Sequence, residues 1–217
     1  MDGIDLVVLV SGRGSNLRAI KAAIDGGRCR ARIAGVVSDR HRAEALDVAS
    51  ECGIPTAVVR PKDHESREHW DGALAERVAA FEPELVVLAG FMRIVGPAML
   101  NRFPYGMLNV HPALLPAFPG ADGPVQAIAK GVRVSGCTVH LVDAGVDTGP
   151  ILAQAAVPVL PSDDASSLHA RIQREEHRLL PAVIDAIAKG WIVPGAKPTF
   201  SDSCPFGSGA LVSPAIA

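Results

Sequence analysis

Apolar positions along this chain follow two periods. Short runs rich in Val, Leu and Ile end at glycine, proline or small polar residues. Between the runs, apolar residues recur three and four apart, the spacing of one helix face. Residues 4–10 form the first run, broken only by Asp5, and read as a buried parallel strand. Leu17, Ala19, Ile20, Ala23 and Ile24 then mark a helix. The same alternation predicts strands over 33–38, 55–59, 84–89 and 107–111, with helices over 43–52, 65–81 and 96–103. Strand and helix in turn mean an α/β domain, here a Rossmann-like, doubly wound, mostly parallel sheet. After a short helix over 125–130, the strands over 135–142 and 151–159 stand too close for a crossover helix. They form a hairpin and provide an antiparallel edge strand. A long helix over 165–187 carries Leu168, Ile172, Leu179, Val183 and Ile187 on one stripe. The domain is expected over 1–190, with 191–217 as an extension whose last part, 201–217, is rich in Ser, Pro and Gly and expected to be weakly ordered.

Chemistry is densest in Leu108-Asn109-Val110-His111-Pro112. Asn109 and His111 are two apart, so on a strand they share a face. Pro112 cannot join a sheet ladder, which puts His111 at the strand's carboxyl end, where open α/β sheets bind ligands. An amide and an imidazole aimed into such a crevice suit acyl chemistry, because they stabilise and protonate a developing oxyanion. The plainer alternative is a strand-end pair that only satisfies loop backbone.

Other stretches add to this. Ser11-Gly12-Arg13-Gly14-Ser15-Asn16 joins the first strand to a helix, an arrangement that offers free N–H groups and a positive dipole end to a phosphate. It is not a dinucleotide fingerprint, since Leu17 holds the third glycine position. A tight turn that needs glycine for backbone reasons alone would look the same. Asp39-Arg40-His41 reads as a solvated loop. Gly90-Phe91-Met92-Arg93-Ile94 follows a strand end and either lines a flat pocket or packs into the core. Asp143 and Asp147 lie in a glycine-bearing loop. If Asp147 reaches His111, its charge favours the protonated imidazole that a general acid requires; otherwise it is a turn residue. Glu176 stands in the apolar stripe of the last helix, with Glu175 at the edge and His177 outside. A carboxylate there needs a partner.

Composition narrows the classes. Hydrophobic residues make up 48% of the 217, enough for a full sheet and its core. The formal net charge is −2 with no basic block, which argues against nucleic-acid or membrane-surface partners. Four scattered cysteines without C-x-x-C spacing fit a reduced protein with no structural zinc. His64 and His69 are five apart rather than four, so a surface role is favoured over metal binding. The first apolar run is too short for a transmembrane span, and a cytoplasmic location is expected.

These motifs, in this order, resemble the folate-dependent formyltransferase family over roughly residues 4 to 190. The resemblance rests on the Ser11 to Leu17 loop, Ser66-Arg67, Ala89 to Ile94, Asn109-Val110-His111-Pro112, Leu114-Leu115-Pro116, Asp147-Thr148-Gly149-Pro150 and Glu176-His177. It implies transfer of a formyl group from 10-formyltetrahydrofolate to the amine of a phosphoribosylated glycinamide in purine biosynthesis, without a metal. Gly14, Ser15 and Asn16 would hold the substrate phosphate. Arg67, Met92, Arg93, Ile94, Val95 and Asn109 would form the folate site. His111 would act as general acid, Asn109 as oxyanion donor, and Asp147 would keep His111 protonated and help shuttle the proton. Glu176 would engage the amine-bearing end of the substrate. The partners implied are small molecules, and the chain would be a monomer or homodimer. Many relatives carry a histidine after Phe118-Pro119-Gly120, where this chain has Ala121-Asp122-Gly123-Pro124. That loop is similar to the methionyl-tRNA formyltransferase branch. Formylation of another amine, as in that branch or on a nucleotide-linked amino sugar, and a non-catalytic nucleotide-binding module are the alternatives.

Overall fold

In the computed structural model, which describes residues 3–204, β1 (Ile4–Val10) lies inside a seven-stranded sheet. Its side chains divide by parity. Leu6, Val8 and Val10 enter the core on one face of the sheet, and Val7 and Leu9 the core on the other. Each fully buried aliphatic side chain contributes roughly 1.5–3 kcal/mol relative to exposure.

The chain continues through α1 (Ser15–Asp25), β2 (Ala31–Ser38), α2 (Glu44–Glu51) and β3 (Thr56–Val58). It then runs through α3 (Arg67–Ala79), β4 (Leu85–Leu88), α4 (Pro97–Arg102) and β5 (Met107–His111). After α5 (Gly123–Lys130) come the hairpin β6 (Val134–Leu141) and β7 (Ile151–Pro158), then α6 (Ala165–Ala188). Strand order is β3-β2-β1-β4-β5-β6-β7, so the chain reverses its direction of growth between β1 and β4. Ligands of doubly wound sheets bind at such a switch point, outside the carboxyl ends of the strands. The pairing beyond β5 is antiparallel, as the hairpin spacing predicts. The reversed strand is β6, one place in from the edge; β7 forms the edge itself.

The stripe of α6 is wider than the predicted one. Leu180 and Ile184 are fully buried, whereas Leu179 and Ile187 are only partly so. The stretch after Gly190 is more ordered than its composition suggests. Ile192–Val193 (β8) and Thr199–Phe200 (β9) pair in a small hairpin, with Ile192 packed into the core. The rest of the tail, from 205 on, lies outside the described residues.

Candidate active site

Asn109 and His111 leave the end of β5 on one face, and Asp147 comes to meet them from the loop after β6. Asp147 Oδ2 lies 3.3 Å from His111 Nδ1, and Oδ1 lies 3.4 Å from Asn109 Nδ2. The N–H of Gly120 donates to Oδ2 at 2.8 Å. Asp147 has φ 55°, a left-handed conformation that Asp tolerates better than most side chains. The second acid of that loop, Asp143, accepts from Thr148 Oγ1 at 2.7 Å and from the Gly145 N–H at 3.1 Å, which holds the turn that presents Asp147. His111 is buried, and its Nε2 donates to the Phe118 carbonyl at 2.8 Å. Both ring nitrogens thus face oxygen, an arrangement that only a doubly protonated imidazole satisfies at both ends.

A fourth group, absent from the expected set, completes the cluster. His140 of β6 stands directly opposite Asn109 in the ladder. Its Nδ1 donates to the Leu141 carbonyl at 2.9 Å, so its Nε2 is the nitrogen turned to Asn109 Nδ2 at 3.1 Å and to Asp147 Oδ1 at 3.5 Å. Burial by itself would raise the carboxyl of Asp147. The hydrogen bond from His140, the Gly120 N–H and the charges of His111 and His140 outweigh it and hold Asp147 below the usual carboxylate range. Asp147 is therefore ionised beside the imidazole it orients. Of the two contacts of Asn109 Nδ2, that to Asp147 is the longer and is the one an oxyanion can take over.

These groups open into a cavity of about 380 Å³, whose other wall is the loop Met92–Val95. That loop is fixed from three directions. Ser11 Oγ accepts from the Met92 N–H at 2.9 Å, and Arg67 Nη2 donates to the Ile94 carbonyl at 3.0 Å. Arg67 opens α3, whose N-terminus is capped by Ser66 Oγ at 3.2 Å from the His69 N–H. One turn further along α3, the buried carboxylate of Asp71 accepts from the N–H groups of Gly96 (2.6 Å), Ala98 (2.8 Å) and Met99 (3.3 Å), which caps α4 from another element. Gly96 is required there, because a Cβ would stand 2.6 Å from Asp71 Oδ2. Exposed Met92 and Ile94 offer apolar surface, and backbone groups between them offer hydrogen bonds, the combination that a flat heterocycle needs. Arg93 Nε donates to Asp39 Oδ2 at 2.7 Å. This corrects the reading of Asp39 as solvated: it is 3% exposed, drawn under the loop by Arg93 and, at 3.7 Å, Arg40.

Gly14, Ser15 and Asn16 line an adjoining cavity of about 660 Å³ that shares Met92, Val110 and Asp122 with the first. Gly14, with φ 75°, precedes the first turn of α1. A Cβ at Gly14 would lie 2.7 Å from the Cβ of Ala45, so glycine is needed both for the turn and for the approach of α2. Glu176 stands in this second cavity and accepts from Asn16 Nδ2 at 3.0 Å. Burial raises its carboxyl, against the lowering effects of the Asn16 hydrogen bond and of His169. Glu175 instead pairs with Arg178 at the surface. Gln173, one turn before Glu176, donates to Ser15 Oγ at 3.0 Å. Asn16 Oδ1 is buried without a partner among the described residues, an acceptor aimed at the same space.

The structure therefore brings together every residue singled out in the sequence except Arg67, which lines neither cavity and acts through the Ile94 carbonyl. The loop after Phe118 also has a definite role. Gln126 donates to the carbonyls of Ala121 (2.8 Å) and Pro119 (3.3 Å), so the Gly-Ala-x-x-Pro-x-Gln pattern closes the loop upon itself. His140, Asp71 and Ser11 were not identified from sequence. Only the register of β5 on β6 would have marked His140. Among the described residues no group of three His, Cys, Asp or Glu is placed to hold a metal, and no helix is long and apolar enough to cross a membrane.

The family model for formyl transferases matches residues 4–184. A phosphoribosylglycinamide formyltransferase of Mycobacterium tuberculosis is 55% identical over 183 residues, 84% of either chain. One from Bacillus subtilis is 40% identical over 177 residues, 82% of this chain and 91% of its own. Among solved structures, glycinamide ribonucleotide transformylase 1 from Symbiobacterium toebii superposes with a TM-score of 0.89 at 47% identity, covering 93% of this chain and 95% of that one.

Proposed function

The chain belongs to the formyl transferase family, and from that membership we infer that it transfers a formyl group to the amine of 5-phosphoribosylglycinamide, a step of purine biosynthesis, with 10-formyltetrahydrofolate as donor. The observation that carries the reading is the contact of ionised Asp147 with His111, Asn109 and His140 in a cavity continuous with the Gly14–Asn16 loop. One cavity suits a heterocycle and the other a phosphate, and the acid-base cluster stands where they meet.

The roles follow from this geometry. The N–H groups at the start of α1, with Gly14, Ser15 and Asn16, take the phosphate. Glu176 shares their cavity and engages the sugar and glycinamide portion of the same molecule. The pterin meets the main chain of Met92, Arg93, Ile94 and Val95, held in place by Arg67. The amine then attacks the formyl carbon. Asn109 Nδ2 donates to the oxyanion that forms, and the His111 imidazolium supplies charge and a proton. As the carbon–nitrogen bond to the folate breaks, the leaving nitrogen gains a proton and the attacking amine loses one; Asp147 holds His111 in the form able to relay it. The free cysteines, with Cys29 and Cys137 buried, agree with a reducing cytoplasmic setting.

Formyl transfer measured with 5-phosphoribosylglycinamide against other amines tests the assignment. Turnover is expected with the glycinamide. Faster formylation of a nucleotide-linked amino sugar would show that the substrate assignment is wrong.

A further inference from the structure

A second depression, of about 600 Å³, lies at the carboxyl edge of the sheet on the side away from His111. Arg40 and Arg42 reach it from the loop after β2, and Arg60 and Lys62 from the turn after β3. Arg40, Arg42 and Lys62 are exposed. Two carboxylates face the group: Asp39 beneath it, held by Arg93 and Arg40, and Asp63, paired with Arg60. With Arg93, five cations stand against two acids, in a chain whose formal net charge is −2. The cluster is assembled from three separate segments, and its unbalanced charges repel one another until an anion arrives.

Arg93 belongs to both walls, lining this depression and the cavity of Asn109 and His111. We propose that the depression is a subsite for a polycarboxylate tail on the formyl donor, a chain of γ-linked glutamates continuing from the pterin-bearing half. The proposal rests on the folate donor assigned above. With the formyl carbon at β5 and the pterin on the loop after β4, the far end of the donor points to Arg93. Beyond it, β2 and β3 lie about 10 and 14 Å further across the sheet at the usual strand spacing. A tail of three to five glutamates covers that distance, by a rough count of about 3.5 Å for each extended residue. Each added carboxylate meets a guanidinium or ammonium group, and guanidinium binds carboxylate in the bidentate geometry that fixes direction as well as charge.

The test compares KM for monoglutamyl and pentaglutamyl 10-formyltetrahydrofolate, in the wild type and in the triple variant Arg40→Ala, Arg42→Ala, Lys62→Ala. All three side chains are exposed, so the variant is expected to fold. In the wild type the pentaglutamyl donor should have a KM about tenfold lower, an advantage that shrinks as salt is raised. In the variant the ratio should fall towards one. An equal ratio in both proteins, or none in the wild type, would overturn the subsite. So would a rise confined to the KM of the phosphoribosyl substrate, which would assign the patch to phosphate instead. Failure of the wild type to use either donor would overturn the donor assignment itself, and with it the subsite.

Discussion

Asp147 Oδ2 and His111 Nδ1 lie 3.3 Å apart, with both side chains almost wholly withdrawn from solvent. A charge–imidazole contact at that depth is screened little by water, so it governs the protonation and the angle of the ring together. Replacement of Asp147 by Asn keeps the volume and removes the charge. Turnover is expected to fall by about 10²–10⁴-fold, the usual worth of general acid-base catalysis, with the donor KM almost unchanged. Steady-state kinetics with both substrates would decide; undiminished turnover would remove Asp147 from the mechanism.

Asp71 touches neither cavity yet sets the end of the Met92–Val95 loop by capping α4. In Asp71→Asn, one side-chain oxygen becomes a donor facing backbone donors, at a cost of about 1–3 kcal/mol. The expected signature is a donor KM raised about tenfold, with kcat and the KM for the phosphoribosyl amine within about twofold of wild type. A lowered melting temperature with no selective change in donor KM would leave Asp71 a purely structural role.

Gly14→Ala places a methyl group against Ala45 in a left-handed turn. The strain costs about 1–3 kcal/mol, and relief requires the loop to move away from α2. The KM of the phosphoribosyl substrate should rise more than that of the donor, as separate titrations of each substrate would reveal.

Glu176 links stability to pH. Because burial raises its carboxyl in the folded chain, the folded state keeps a proton that the unfolded chain has already lost. Stability on this account falls as pH rises from the ordinary glutamate range through the raised value, and the full cost is present above it. Glu176→Gln keeps an acceptor for Asn16 and removes the charge. The variant should therefore melt above wild type at pH 8, by about 3 °C for roughly 1 kcal/mol, and level with it at pH 4. It should also bind the phosphoribosyl substrate less tightly. Equal melting temperatures at pH 8 would show that the buried charge is fully compensated by its surroundings.

The local rules of the chain determined most of the fold and the chemistry of its strand end. Runs of Val and Leu could only be buried strands, and Pro112 could only end one, so Asn109 and His111 were placed on one face before any tertiary contact was known. The phosphate loop was equally local, since a glycine turn entering a helix carries its own dipole. Asp39, Asp71 and His140 were decided elsewhere. Each acquires its meaning from a partner tens of residues away: Arg93 for Asp39, the first turn of α4 for Asp71, and Asn109 across the β5–β6 register for His140. The basic patch follows the same logic, because Arg40, Arg42, Arg60, Lys62 and Arg93 form no run in the chain and meet only when β2, β3 and β4 lie in one sheet. Periodicity records which face a side chain takes; strand order and register decide what it faces.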